Sequence, residues 1–364
     1  MKRTVLLNPG PVNVTERVRQ ALLKPDLCHR EKEFSNLMGS IRNKLLRAFK
    51  ITIDFDAVLI TGSGTAALEM AVSSSLSEGR SMLVIRNGVY GERISAMAEA
   101  YGLNTLRLDY AWGEPPQLSD VKHALEQHPE IEVVAMVHHE TTTGLLNPVH
   151  EIGALVHQHQ KRFLVDSISG LAGDSLDFNG AHVDICVGTA NKCLQGLPGV
   201  SFVLVRKSEL PRLEAIPERS LYFNLYKNHN AQEKGDTLFT PAVQIHYALD
   251  AALDELIEET VRGRIRRYAE AANLLRRGFG EMGLELIIPE THLSNTLTAL
   301  KLPKGVTYKE LHAKLKKKGF VIYAGQKKLS ESIFRIANMG DIRTEEFQQL
   351  LDTLKKCIPT PTAS

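Results

Sequence analysis

Cysteine is scarce in this chain, and tryptophan occurs once. Cys28, Cys186, Cys193 and Cys357 form no Cys-x-x-Cys pair, and no Cys/His spacing suits zinc. No apolar run nears the ~18 residues of a membrane span. Residues 1–12 lack the apolar stretch of an export signal. These gaps lead to the expectation of a cytoplasmic protein with reduced thiols, no membrane partner and no metal. Charge of one sign is missing too. Lys+Arg number 44 and Asp+Glu 42, which leaves a net +2 and no basic excess for nucleic acid. What is present is a 364-residue chain with 43% hydrophobic residues, enough for a large core and too apolar for disorder.

The hydrophobic pattern alternates. Short runs rich in Val, Ile and Leu at 57–61, 82–86, 133–138, 163–165, 185–188 and 200–205 read as strands buried on both faces. Helical periodicity fills 65–76, 92–101 and 149–160. This repetition predicts an α/β fold, with a mostly parallel central sheet wrapped by helices. A long helical region follows from 241 to about 280. Its Arg262, Arg264, Arg266 and Arg267 read as a solvated face, and so does the lysine run at 314–318. Beyond it, strands at 284–288, 297–302, 320–323 and 333–336 with helices at 308–318 and 344–357 suggest a smaller α+β domain. The expected division is 16–262 for the large domain, and 1–15 with 263–364 for the small one. Residues 358–364 are expected to fray.

Gly62-Ser63-Gly64-Thr65-Ala66-Ala67 follows a strand and opens a helix. Small residues let backbone amides approach an anion, and the helix N-terminus adds positive potential. The turn fits a phosphate cup, a dinucleotide-binding turn or a plain tight turn. An NADP-binding dehydrogenase stays open, because Arg86 ends the next strand where a ribose-binding acid would stand. Two further features favour another cofactor. Asp166 ends a buried strand, at the sheet edge where ligands bind. Lys192 follows the next strand among small and apolar residues, where burial would lower its pKa and favour Schiff-base chemistry. Cup, acid and lysine together point to pyridoxal phosphate. Asp166 would pair with the ring nitrogen, and Tyr90, at another strand end, offers a flat partner for the ring. His138-His139 and His157-x-His159 make no convincing metal set.

The same residues carry a family resemblance that extends over nearly the whole chain. Leu7-Asn8-Pro9-Gly10-Pro11, Thr61-Gly62-Ser63-Gly64-Thr65, Asn87-Gly88-Val89-Tyr90-Gly91, His139-Glu140-Thr141-Thr142-Thr143-Gly144, Val165-Asp166-Ser167-Ile168-Ser169, Ala190-Asn191-Lys192-Cys193-Leu194-Gln195-Gly196 and Phe334-Arg335-Ile336 resemble the class V aminotransferases of the aspartate aminotransferase fold (type I). Within that class the likeness is closest to 2-aminoethylphosphonate–pyruvate aminotransferases. The resemblance implies Lys192 as the Schiff-base lysine and Asp166 as the ring-nitrogen partner. It implies Tyr90, Thr141, Asn191, Ser63, Gly64 and Thr65 as cofactor contacts. It implies Thr240 as a phosphate contact across a homodimer, and Arg335 as the carboxylate ligand.

Asn8 and Gly10 would line the substrate pocket, and His29 and Arg30 are candidates for a phosphonate. The implied partners are a small amino donor and a 2-oxo acid acceptor. Alanine–glyoxylate or serine–pyruvate aminotransferases share this machinery and remain the nearest alternative. A silent pyridoxal-phosphate-fold binding protein and a cysteine desulfurase are more remote. A desulfurase normally has His before the lysine, where this chain has Asn191.

Overall fold

Alternation along each strand decides the layering. In the computed structural model, which describes residues 3–358, Val58, Val84, Ala135 and Val203 face one apolar layer. Their neighbours Leu59, Leu83, Val134 and Phe202 face another. A sheet apolar on both sides must be covered on both sides. Helices Gly64–Ser74 and Val89–Ala100 cover the first face, and Lys32–Ala48, Val149–Gln158 and Val243–Glu259 the second.

In chain order the strands are β1 (Val5–Leu6), β2 (Phe55–Gly62), β3 (Ser81–Arg86), β4 (Asn104–Asp109), β5 (Ile131–Val137), β6 (His139–Glu140), β7 (Leu145–Leu146), β8 (Arg162–Asp166), β9 (Ile185–Thr189), β10 (Gly199–Arg206), β11 (Leu297–Lys301), β12 (Phe320–Val321), β13 (Tyr323–Ala324) and β14 (Ile333–Ala337). The seven-stranded sheet has the order β2-β10-β9-β8-β5-β3-β4. Only β10 is reversed, and it runs antiparallel to both of its neighbours, β2 and β9. Since β2 and β9 both oppose β10, they point the same way. The C-terminal ends of β2, β3, β5, β8 and β9 therefore share one edge, and that edge carries the glycine turn, Tyr90, the His139–Gly144 hairpin, Asp166 and Lys192.

β11, β14 and β13 form a second, antiparallel sheet. Its core joins Phe334 and Ile336 to Leu311, Phe320, Phe279 and Leu350. The N-terminal segment belongs with it. β1 pairs with β12, and the Ala337 N–H donates to Leu7 O at 2.8 Å.

Four expectations need correction. The long helical region is two helices, Val243–Glu259 and Val261–Glu281, broken at Thr260, whose φ of 66° no helix continues through. Residues 284–288 form no strand. One bridge, Leu286 to Leu300, is all the pairing there, and Ile288 packs with Leu145 and Leu293 instead. Arg264 is not on a solvated face: it is 1% exposed. Arg86 is not free for a nucleotide, because Asp109 holds it through two hydrogen bonds of 2.5 and 2.9 Å. In addition, the neighbour of β2 among the described residues is antiparallel β10, unlike the partner of the first strand in a dinucleotide-binding unit. Of the expected frayed tail, 359–364 lies outside the described residues.

Candidate active site

Lys192 sits on the turn between β9 and β10. The Gln195 N–H donates to Lys192 O at 2.9 Å, and the Gly196 N–H donates to Ala190 O at 2.8 Å. The turn forces Gln195 to a φ of 62°. Its outer side is held from the helix Val261–Glu281. Arg264 Nη1 donates to Cys193 O and Leu194 O, both at 3.1 Å, while its Nε pairs with Glu259 at 2.7 Å. Tyr268 OH accepts from Gln195 Nε2 at 2.7 Å and from the Gly340 N–H at 3.1 Å. With its carbonyls bound outward, the turn presents the Lys192 side chain inward.

There the ammonium donates to Pro9 O of the N-terminal loop. A Cβ on Gly10 would lie 2.6 Å from Lys192 Cδ, so the loop closes directly on the lysine. Asn8 braces that loop, donating from Nδ2 to Pro11 O at 2.8 Å. Burial, with help from Arg335 and Arg93, lowers the Lys192 pKa to about 8.

Asp166 ends β8 and is 3% exposed. Burial raises its pKa to about 6. The Ile168 N–H donates to Oδ1 at 3.0 Å, and Oδ2 has no protein donor among the described residues. His138 supports the strand end. Its N–H donates to Asp166 O at 2.8 Å, and its Nδ1 meets Ser167 Oγ at 2.9 Å. Burial pushes the His138 pKa to about 3, so the ring is neutral.

The helix Gly64–Ser74 opens at the end of β2. Ser63 is its N-cap, with a side chain that makes no capping bond. A Cβ on Gly64 would lie 2.9 Å from Ile168 Cδ1, so the two loops approach closely here and a larger residue would have to displace that side chain. Asn191 Oδ1 accepts from Thr189 Oγ1 at 2.9 Å.

Tyr90 lies in the first turn of the helix Val89–Ala100. Glu140 Oε2 accepts from the N–H groups of Tyr90 and Gly91, at 3.1 and 3.3 Å, and Thr142 Oγ1 accepts from the Val89 N–H at 3.0 Å. Three otherwise orphaned donors are thus satisfied by one hairpin. Burial raises the Glu140 pKa to about 7.

Arg335, in the middle of β14, is 2% exposed. Its Nε donates to Ala324 O at 2.9 Å and its Nη1 to Thr141 O at 2.7 Å. No carboxylate pairs with it among the described residues. A buried guanidinium held only by carbonyls can take a planar anion on its free side.

Among the described residues, the other expected ones make no bond to this group within the chain. Arg30 pairs with Asp236 and donates to Thr237 O at 2.8 Å, and no hydrogen bond or ion pair links His29 or Arg30 to Lys192, Asp166 or Arg335. Thr240 is exposed in the segment beyond them. Two residues gained no role from the sequence reading. Glu140 was visible only as part of a motif. Arg93 stands one helical turn beyond Tyr90, and that spacing was the available signal. His229, Asp56 and Glu233 cluster in the manner of a metal site, but Arg42 pairs with Glu233 and Lys207 lies 3.8 Å from Asp56.

The family model of class-V aminotransferases matches residues 18–344. An uncharacterized aminotransferase of Methanocaldococcus jannaschii is 37% identical over 342 residues, 93% of this chain and 88% of that one. A protein of Lysinibacillus sphaericus named 2-aminoethylphosphonate–pyruvate transaminase is 36% identical over 360 residues, 98% of this chain and 97% of its own. Among solved structures, an alanine–glyoxylate aminotransferase of Nostoc superposes with a TM-score of 0.92 at 26% identity, covering 98% of this chain and 96% of the other.

Proposed function

Because this chain belongs to the class-V aminotransferases, which are pyridoxal-phosphate-dependent enzymes of fold type I, we propose that it moves the amino group of 2-aminoethylphosphonate to pyruvate. The products are phosphonoacetaldehyde and alanine. The residues present fit the cofactor. Asp166 is a buried acid with one oxygen free of protein donors among the described residues, and Lys192 is a buried amine of lowered pKa that feels the charge of that acid. When bound, pyridoxal phosphate supplies an aldehyde that takes up amines and a ring that draws electrons from a neighbouring bond.

The chain's own groups divide the remaining work. Lys192 is the amine that would hold the cofactor aldehyde. Freed from it, the same amine would carry a proton to and from the substrate carbon, and a pKa near 8 suits both roles. Asp166 keeps negative charge at the ring-nitrogen end, and burial strengthens that field. Tyr90 would cover the ring and exclude water. Ser63, Gly64 and Thr65 would receive the phosphate, Thr141 and Asn191 would contact the cofactor, and Arg335 would fork onto the acceptor carboxylate.

The observation that carries this reading is Arg335: a buried cation, without an acid partner among the described residues, that already fixes the hairpin of Thr141. The choice of donor draws its support from relatives of 33–36% identity that bear the 2-aminoethylphosphonate–pyruvate name over nearly the full chain. The proposal includes a homodimer, with exposed Thr240 reaching the phosphate of the partner's site. It also includes the division into 16–262, and 1–15 with 263–364, for which the pairing of β1 with β12 speaks. A cytoplasmic location fits the four free cysteines.

The test assays donors singly with pyruvate. Alanine formed from 2-aminoethylphosphonate is expected. Turnover of serine or alanine without any from the phosphonate would replace this reading by the alanine–glyoxylate type, to which the Nostoc structure gives weight.

A further inference from the structure

Arg93 is a cation that the transamination steps leave unused. It projects from the helix Val89–Ala100 between two parts of the site. Its Nη1 donates to Thr65 Oγ1 at 3.1 Å, and its guanidinium carbon stands 4.7 Å from the centroid of the Tyr90 ring. No acid pairs with it among the described residues. Its charge is nevertheless felt at Asp166 and at Lys192, where it favours the ionised carboxylate and the neutral amine.

The hydrogen bond to Thr65 has a direction. Arg93 can only donate, so Thr65 Oγ1 must accept. A threonine oxygen occupied as an acceptor still has its own O–H to give. Since Arg93 fills an acceptor position of that oxygen, the O–H is left to donate to a group other than Arg93. The flat guanidinium also backs the ring of Tyr90, an arrangement stabilised by the ring quadrupole. One side chain thus touches the residue at the phosphate end and the residue on the ring face.

We propose that Arg93 is a positioning residue for the cofactor. It orients the Thr65 hydroxyl as a donor to the 5′-phosphate and fixes the plane of Tyr90 against the ring. The inference rests on the assignment of Ser63–Thr65 as the phosphate cup, and it is independent of which amine is the donor. It makes Arg93 a source of discrimination for a phosphorylated cofactor over an unphosphorylated one.

The experiment titrates cofactor-free protein with pyridoxal phosphate and, separately, with pyridoxal, followed by the visible absorption of the bound aldehyde. In Arg93→Gln the dissociation constant for pyridoxal phosphate is expected to rise about 10- to 100-fold, the worth of a charge-assisted hydrogen bond. That for pyridoxal should rise much less. Arg93→Lys should recover part of the loss. Thr65→Val should show the same selective loss, and Arg93→Gln should add little to it in the double variant.

Equal weakening of both ligands by Arg93→Gln would overturn the proposal, and so would full multiplication of the two single effects. If Arg93→Gln does not fold, Arg93→Lys and Thr65→Val decide by the same two ligands. A wild-type protein that binds pyridoxal phosphate no better than pyridoxal would remove the phosphate cup itself. A wild-type protein that binds the cofactor but ignores 2-aminoethylphosphonate would leave Arg93 in place and change only the donor.

Discussion

Glu140 accepts the backbone N–H of Tyr90 at 3.1 Å from a strand 50 residues further along the chain. The position of an aromatic ring is thereby set by a buried acid acting as a helix cap. A Cβ on Gly88 would lie 2.3 Å from Glu140 Cδ, so the acid fills the place just ahead of the helix. Glu140→Gln turns one acceptor oxygen into an NH2 that faces N–H donors. The expected cost is about 1–2 kcal/mol, as for a lost cap. Thermal melts should show it, and weaker cofactor binding should accompany it because Tyr90 loosens.

Asp166 should destabilise the cofactor-free protein. Its folded pKa, about 6, lies above the ordinary 3.8 because of burial. The folded state therefore holds its proton more tightly between those values, and stability falls as pH rises through that window. Below about pH 4 both states are protonated and no difference remains. Asp166→Asn should melt higher than wild type at pH 7.5, by up to ~3 kcal/mol at ~1.4 kcal/mol per pKa unit, and the two should converge near pH 4. The same variant should be inactive.

Arg335 holds the Lys192 ammonium in check. Its positive charge is among the causes that lower the lysine pKa to about 8. Removing a cation favours the protonated amine, so Arg335→Met should raise that pKa. Acylation of Lys192 in cofactor-free protein, mapped by mass spectrometry across pH, should have a midpoint near 8 in wild type and a higher one in the variant. The KM for pyruvate should rise about 10- to 100-fold, the loss of a charged hydrogen-bond pair.

Two glycines separate backbone strain from collision. Gly10 (φ 92°) and Gly79 (φ 71°) are both left-handed, so alanine at either should cost roughly 1 kcal/mol of stability. Only Gly10 has Lys192 in the way, and nothing lies within 4 Å at Gly79. Gly10→Ala should therefore lower kcat by about 10-fold or more, because a displaced reacting group is costly. Gly79→Ala should keep its activity, and steady-state kinetics of the pair settle the matter.

The buried strands were legible because both faces of a parallel sheet demand unbroken runs of Val, Ile and Leu. β4 escaped for the opposite reason. It is the edge strand, and Asn104, Thr105 and Arg107 make it look like a loop. Thr260 hid its helix break because nothing in a threonine announces a positive φ. Lys192 and Asp166 stood out as charged residues in apolar surroundings. Arg264 did not, since its neighbours Arg262 and Arg266 made one solvated face of the whole cluster. Its burial comes from carbonyls 70 and 71 residues away, which no local pattern contains. Arg93 and Glu140 were hidden in the same manner. Each acquires its partner only when separate strand ends meet at one edge of the sheet.

Tyr268 offers a last consequence. Its single phenolic oxygen is held in common by the lysine turn, through Gln195, and by Gly340, five residues past Arg335. The turn that carries Lys192 and the segment that follows Arg335 are thus tied to one benchmark, as two jaws of a caliper are zeroed on one rod. On the proposed reading one jaw would meet the substrate carbon and the other its carboxylate, so a single phenol would help to set the gauge for substrate length.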